Sequence, residues 1–152
     1  MNYKKISTTI RWIYAALVVL VLAVVIVAEL NAAPIEGALV GAFDARTTYV
    51  VEVGMLFSVG VCLLLALRGF DRVMKSTMRA ASPEKRPKAY VGIYCVRLAL
   101  LALPMLLGTY FYYALLENWG LYYALAAFVA SLFCLPSPDG VEEEMSAVSG
   151  EQ

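Results

Sequence analysis

Two ionisable side chains sit inside apolar stretches of this chain, Arg97 and Glu52. A charge in hydrocarbon is costly, so each marks either a function or an anchor. Arg97 lies about two turns into the run that begins at Tyr90, roughly 10 Å deep at 1.5 Å per residue. A planar guanidinium can hold a carboxylate or phosphate through two parallel hydrogen bonds. Its long stem can equally carry the charge back to inner-leaflet phosphates. The anchor reading is adopted, with Tyr90 and Tyr94 on the same face to hydrogen-bond or stack with it. Glu52 lies about one turn in from the opposite end of its own run, so the two depths differ by more than roughly 10 Å. A direct Arg97–Glu52 pair is therefore not expected. Glu52 instead joins Glu29 and Glu117, and with Glu36 and Asp44 they form an acidic outer rim offset only by Arg46.

Other chemistry finds little support. Cys62, Cys95 and Cys134 have spacings unlike any local metal motif, and the chain has no His. A metal site would need three helices to converge, whereas free Cys is also an ordinary buried residue. No metal, cofactor or structural disulfide is expected. A His base, a nucleophile elbow, a phosphate-binding Gly loop and a pair of acids at one depth are all missing. The chain therefore reads as a non-enzyme. The duplicated broken helices of many transporters are missing too. A small multidrug exporter wants an acid in the middle of its first span, and this one has none.

These residues must be positioned by four apolar runs, roughly 12–30, 49–67, 90–116 and 119–135. A hydrocarbon core of about 30 Å needs roughly 20 helical residues, and the runs lack the alternation of barrel strands. With 62% hydrophobic residues and a mean hydropathy of +0.75, little is left for a soluble domain. The predicted fold is all-α: an integral membrane four-helix bundle with short loops over residues 1–135, followed by a disordered acidic tail, 136–152. Basic residues set the orientation. Lys4, Lys5 and Arg11 precede the first span, and Arg68, Arg72, Lys75, Arg79, Lys85, Arg86 and Lys88 lie between the second and third. That is ten against Arg46 alone on the other side. Both termini and the basic loop are expected in the cytoplasm, in a multi-pass inner-membrane protein.

The run Trp12–Ala28 is longer than a usual signal h-region, and Pro34 follows the small residues Asn31-Ala32-Ala33, so an uncleaved signal-anchor is expected. The loop with Pro34, Gly37, Gly41 and the apolar Ala38, Leu39 and Val40 is expected to rest on headgroups. In the second span Gly54, Ser58, Cys62 and Ala66 recur every four residues, a small-residue stripe for close packing within the bundle or between copies. Phe70, Val73, Met74 and Met78 fall near one face, with Arg72, Lys75 and Arg79 elsewhere, as in an amphipathic helix lying on an anionic inner leaflet. Pro104 and Gly108 should bend the third span. Tyr110, Tyr112, Tyr113, Trp119, Tyr122 and Tyr123 form an aromatic belt around the Glu117-Asn118 link. Gly120, Ala124, Ala127 and Ser131 share one face of the fourth span. Glu142-Glu143-Glu144 and low hydrophobicity predict the disordered tail.

The segment from Tyr90-Val91-Gly92-Ile93-Tyr94-Cys95-Val96-Arg97 through Tyr112-Tyr113 to Phe133-Cys134-Leu135-Pro136-Ser137 resembles small uncharacterised four-span proteins of Bacteroidetes. Those carry an Arg early in the third span and a short polar motif after the fourth. That motif tends to be basic there, whereas Pro138-Asp139-Gly140 departs from it. The resemblance implies a fold and no activity. The reading that follows is a non-enzymatic accessory or scaffold subunit, with anionic inner-leaflet lipids and a homo-oligomeric or heteromeric membrane partner, and no nucleic acid. The alternative is a small oligomeric cation channel or transporter whose mouth is the acidic rim.

Overall fold

The structure, a computed structural model, describes residues 2–30 and 37–150, and all its regular elements are helical. In order they are α1 (Tyr3–Glu29), α2 (Ala45–Leu64), a π turn (Leu65–Gly69), α3 (Phe70–Ala80), α4 (Arg86–Leu115), α5 (Asn118–Phe133) and α6 (Pro138–Gly150). Three helices are long and apolar enough to cross a bilayer: α1, the rod Ala45–Ala80, and α4. With 16 residues, α5 spans only roughly 24 Å. It reaches the needed length only together with α6, from which it is bent by 72°.

The elements gather on α4, which touches α1, α2, α3 and α5. Among the described residues the α1 backbone comes closest to α4 and α6, while its side chains also reach α3 and, through Tyr14, Ser131 of α5. The α4–α5 contact is the tightest. Gly108 and Gly120 are both buried there, beside Ala124, Ala127 and Ser131 on the small face of α5. A Cβ on Gly108 would sit 2.6 Å from the Gly120 carbonyl oxygen. Close backbone approach is thus what Gly108 provides, while the helix continues through Pro104.

The structure differs from the sequence-based expectations at four places, at the first only for packing within one chain. The small-residue stripe of α2 does not pack within the chain along its length: Gly54 and Ser58 are exposed, and no atom would lie within 4 Å of a Cβ on Gly54. Spacing brings those residues to one face, but α4 and α5 cover the adjacent face with Met55 and Val59, and only Ala66 of the stripe is buried. Secondly, the segment expected to lie on the leaflet continues α2 as one rod through the π turn. Its Phe70, Met74 and Met78 are buried against other helices. Thirdly, the loop after α1 is docked on protein. Gly37, at φ +66, donates its N–H to the Tyr113 carbonyl at 2.8 Å, and Leu39 to that of Ala114 at 3.0 Å. Those are carbonyls that the end of α4 leaves without helical partners. Asn31-Ala32-Ala33, Pro34 and Glu36 lie outside the described residues.

Finally, the tail folds. Ser137 caps α6, its Oγ accepting the Gly140 N–H at 3.0 Å, and Pro138 opens the first turn. Val141 and Met145, four residues apart, bury themselves against the body. Charge made this segment look unable to bury enough apolar surface, yet one such pair on a capped helix is what docks it.

Candidate functional site

The residues singled out for chemistry fall in two separate places. The first is where α1, α3, α4 and α6 meet. Along α4, Tyr90, Tyr94, Leu98 and Leu101 share one buried face at helical spacing, and Arg97 adjoins it. Along α3, Phe70, Met74 and Met78 do the same, and α1 adds Ile6 and Ile10, all in one apolar core with Val141 and Met145 of α6. The first helix therefore begins well before its apolar run, because its opening turns are needed in this core.

Within the core the aromatic rings are ordered. Tyr94 meets Phe70 edge to face at 4.8 Å between centroids, and Tyr90 lies 5.0 Å from Tyr94. Arg97 lays its guanidinium carbon 4.0 Å above the Phe70 ring and 5.6 Å from that of Tyr94. Cys134, at the end of α5, interacts with the same guanidinium. The Arg97 Nε is buried and has no hydrogen-bond partner. The half-buried side chain thus rests against aromatic faces, a cation–π arrangement, with Tyr94 as expected and with Phe70 as the nearer ring. Phe70 is the partner that sequence reasoning missed. Its spacing of four and eight from Met74 and Met78 was the available signal.

Tyr90 does not reach Arg97. Its hydroxyl donates to Glu144 Oε2 at 2.7 Å, tying α4 to α6. Ser7 on α1 donates to the Pro136 carbonyl at 3.1 Å, and Tyr14 shares a 3.1 Å hydrogen bond with Ser131. Polar groups of α1 thus fix both sides of the α5–α6 bend.

The second place is the opposite end, where the acids divide between two cavities. Glu52 and Glu117 line one of about 390 Å³ with Phe43, Thr48 and Tyr49. Glu29 lies in another, of about 280 Å³, with Tyr112 and Asn118, and accepts a hydrogen bond from the Tyr113 hydroxyl at 2.7 Å. Of the five acids expected at the rim, Glu52, Glu117 and Glu29 are therefore split between the two cavities, and Glu36 lies outside the described residues. Asp44 belongs to neither: it caps α2, accepting from the Thr47 hydroxyl and, at 3.4 Å, from the Thr47 N–H. Those donors hold its carboxyl below the usual value, the side-chain hydroxyl most strongly.

Beneath the first cavity Trp119 packs with Met55, Val59 and Leu115, and its buried Nε1 has no hydrogen-bond partner. The aromatic belt is divided as well. Tyr110 and Tyr122 face outward, whereas Tyr113 and Trp119 are buried in helix contacts. Cys62, Cys95 and Cys134 are free thiols, and no group of three or more metal-ligating side chains occurs among the described residues. Comparison of the chain with protein-family models, with curated proteins and with solved structures finds no match in any of the three.

Proposed function

We propose that this chain is a multi-pass inner-membrane protein with four spans, acting as a non-enzymatic accessory or scaffold subunit. Both termini and the basic stretch Arg68–Lys88 lie in the cytoplasm, and α5 is the fourth, short span, housed where the bilayer thins or the protein shields it. The observation that carries the reading is the helical assembly at the basic end. The rod Ala45–Ala80 has 36 residues, roughly 54 Å, against a hydrocarbon core of about 30 Å. Its last turns, with the start of α1 and α4 and with α6, form an apolar core whose outer surface carries Lys4, Lys5, Arg72 and Lys75, all exposed. Such a body serves protein contacts and the anionic inner leaflet at once.

The test is purification of a tagged chain in mild detergent, with identification of stably associated proteins. A stoichiometric heteromeric partner, lost on reversing Arg72 and Lys75, is the expected result. Cysteine labelling sets the topology: Ser76→Cys should react only from the cytoplasmic side and Ala42→Cys only from the other.

A second reading, a small oligomeric cation channel or transporter, is favoured by the cavity that Glu52 and Glu117 share. A symmetric homo-oligomer whose cation flux falls with Glu52→Gln would move the assignment there.

A further inference from the structure

We propose that the groove filled by α6 is a docking site for an acidic amphipathic helix of a partner protein, with α6 as its resident occupant. The proposal rests on the accessory-subunit reading and names the surface through which such a subunit would bind.

The groove belongs to the body of the protein. Its floor comes from Ile6 and Ile10 of α1, Met74 and Met78 of α3 and Tyr90 of α4. The rings beneath it, Phe70, Tyr94 and Tyr90, hold one another in place without α6. A floor built by three helices persists when a fourth leaves.

Among the described residues, the occupant docks through a short row of side chains. Val141 and Met145 are its buried apolar side chains, and Glu144 adds the hydrogen bond from Tyr90. Against this stands the ordering of a 13-residue helix that contains two glycines. A bend of 72° and the prolines Pro136 and Pro138 separate α6 from α5.

The chemistry of the groove defines what fits. Methionine side chains are unbranched and polarisable, and they adapt to differing apolar partners. α1 and α3, against which α6 lies, carry exposed Lys4, Lys5, Arg72 and Lys75. The outward side of α6 carries exposed Asp139, Glu142 and Glu143. A fitting helix therefore has two apolar residues four apart, a carboxylate just before the second to accept from Tyr90, and an acidic outer face.

The experiment uses the full chain in detergent, with a protease site inserted between Pro136 and Ser137. After cleavage, a labelled peptide of residues 137–150 should replace α6 saturably. Unlabelled peptide should compete, and a peptide bearing V141E and M145E should compete at least tenfold less well. A peptide with Asp139, Glu142 and Glu143 changed to Lys should also bind at least tenfold more weakly, and Y90F in the chain should lower affinity several-fold. The peptide comparisons leave the chain itself unaltered, so they decide the matter independently of any substitution in the floor. Retention of cleaved α6 under saturating peptide, or equal binding of the V141E/M145E or Lys peptides, would overturn the proposal. So would exchange of α6 between two copies as the dominant assembly. A co-purified partner that saturating peptide leaves bound overturns this docking site while the accessory-subunit reading stands. If no partner co-purifies, that reading falls whatever the peptide does.

Discussion

Gly108 and Gly120 face each other across the α4–α5 contact so closely that a Cβ on either would meet the other's carbonyl oxygen, at 2.6 Å and 2.5 Å. Each backbone is the other's packing surface. Gly108→Ala should push the two helices apart and cost about 1–3 kcal/mol, the range for overpacking a fitted interior. Gly54→Ala is the contrasting case, since open space surrounds it. Ala is the better helix former by about 0.5–1 kcal/mol, so that variant should be neutral or slightly stabilising. Thermal unfolding of both in one detergent checks the pair, and equal losses would refute the contact.

Arg97 and Phe70 should be energetically coupled. Cation–π contacts are worth about 0.5–1 kcal/mol when exposed and about 2 when desolvated. Arg97→Lys should lose part of this, because an ammonium lacks the flat face that stacks on the ring. An anchor role would make the same change nearly neutral. A double-mutant cycle with Phe70→Leu, read by denaturant unfolding in micelles, separates the two. Strictly additive effects would remove the stacking interpretation.

Tyr90→Phe should leave the fold intact and loosen α6. It removes a hydroxyl donor to a carboxylate, an interaction contributing about 1.5–3 kcal/mol. Hydrogen exchange in residues 138–150 should rise, with little change in α4. Unchanged exchange in α6 would mean that Glu144 is not what the hydroxyl holds.

Asp44 gives a pH dependence whose sign is fixed. Its carboxyl is held below the ordinary aspartate value of 3.8 by Thr47. A depressed carboxyl adds stability that is present above that value and fades as the pH falls through its folded pKa. Fraying of the α2 N-terminus, followed by hydrogen exchange, should therefore increase below about pH 3.8. Asp44→Asn keeps an acceptor but removes the titration, so its fraying should be flat over the same range. A wild-type profile equally flat would count against the cap.

Periodicity could be read from the sequence, but the neighbours that cover each face could not. Gly120, Ala124, Ala127 and Ser131 share a face by spacing, and α4 covers that face. Gly54 and Ser58 satisfy the same rule, yet among the described residues no helix lies over them. The spacing is local, while the cover depends on where α4 runs. The continuation of the helix past the second apolar run was hidden for a related reason. Gly69 and the first charges suggested a boundary, but a wide turn carries the helix onward. At the candidate site, the sequence identified Arg97 and Tyr94 but not Phe70 or Glu144, which come from α3 and α6. Composition had assigned those segments to the headgroups and to disorder. The Ser137-Pro138 start of α6 was the overlooked signal.

The π turn at Leu65–Gly69 sets an angle. Above it, Met55 and Val59 point at Trp119; below it, Phe70, Met74 and Met78 point at α1, α4 and α6. An α-helix turns about 100° per residue, so one residue more or less between the two groups rotates one set relative to the other by more than a quarter circle. The wide turn is the phase adjustment that lets one rod serve two differently oriented sockets. Removing Gly69 alone would restore regular helix and swing Met74 and Met78 out from under α6, while leaving every apolar side chain in the chain's composition untouched.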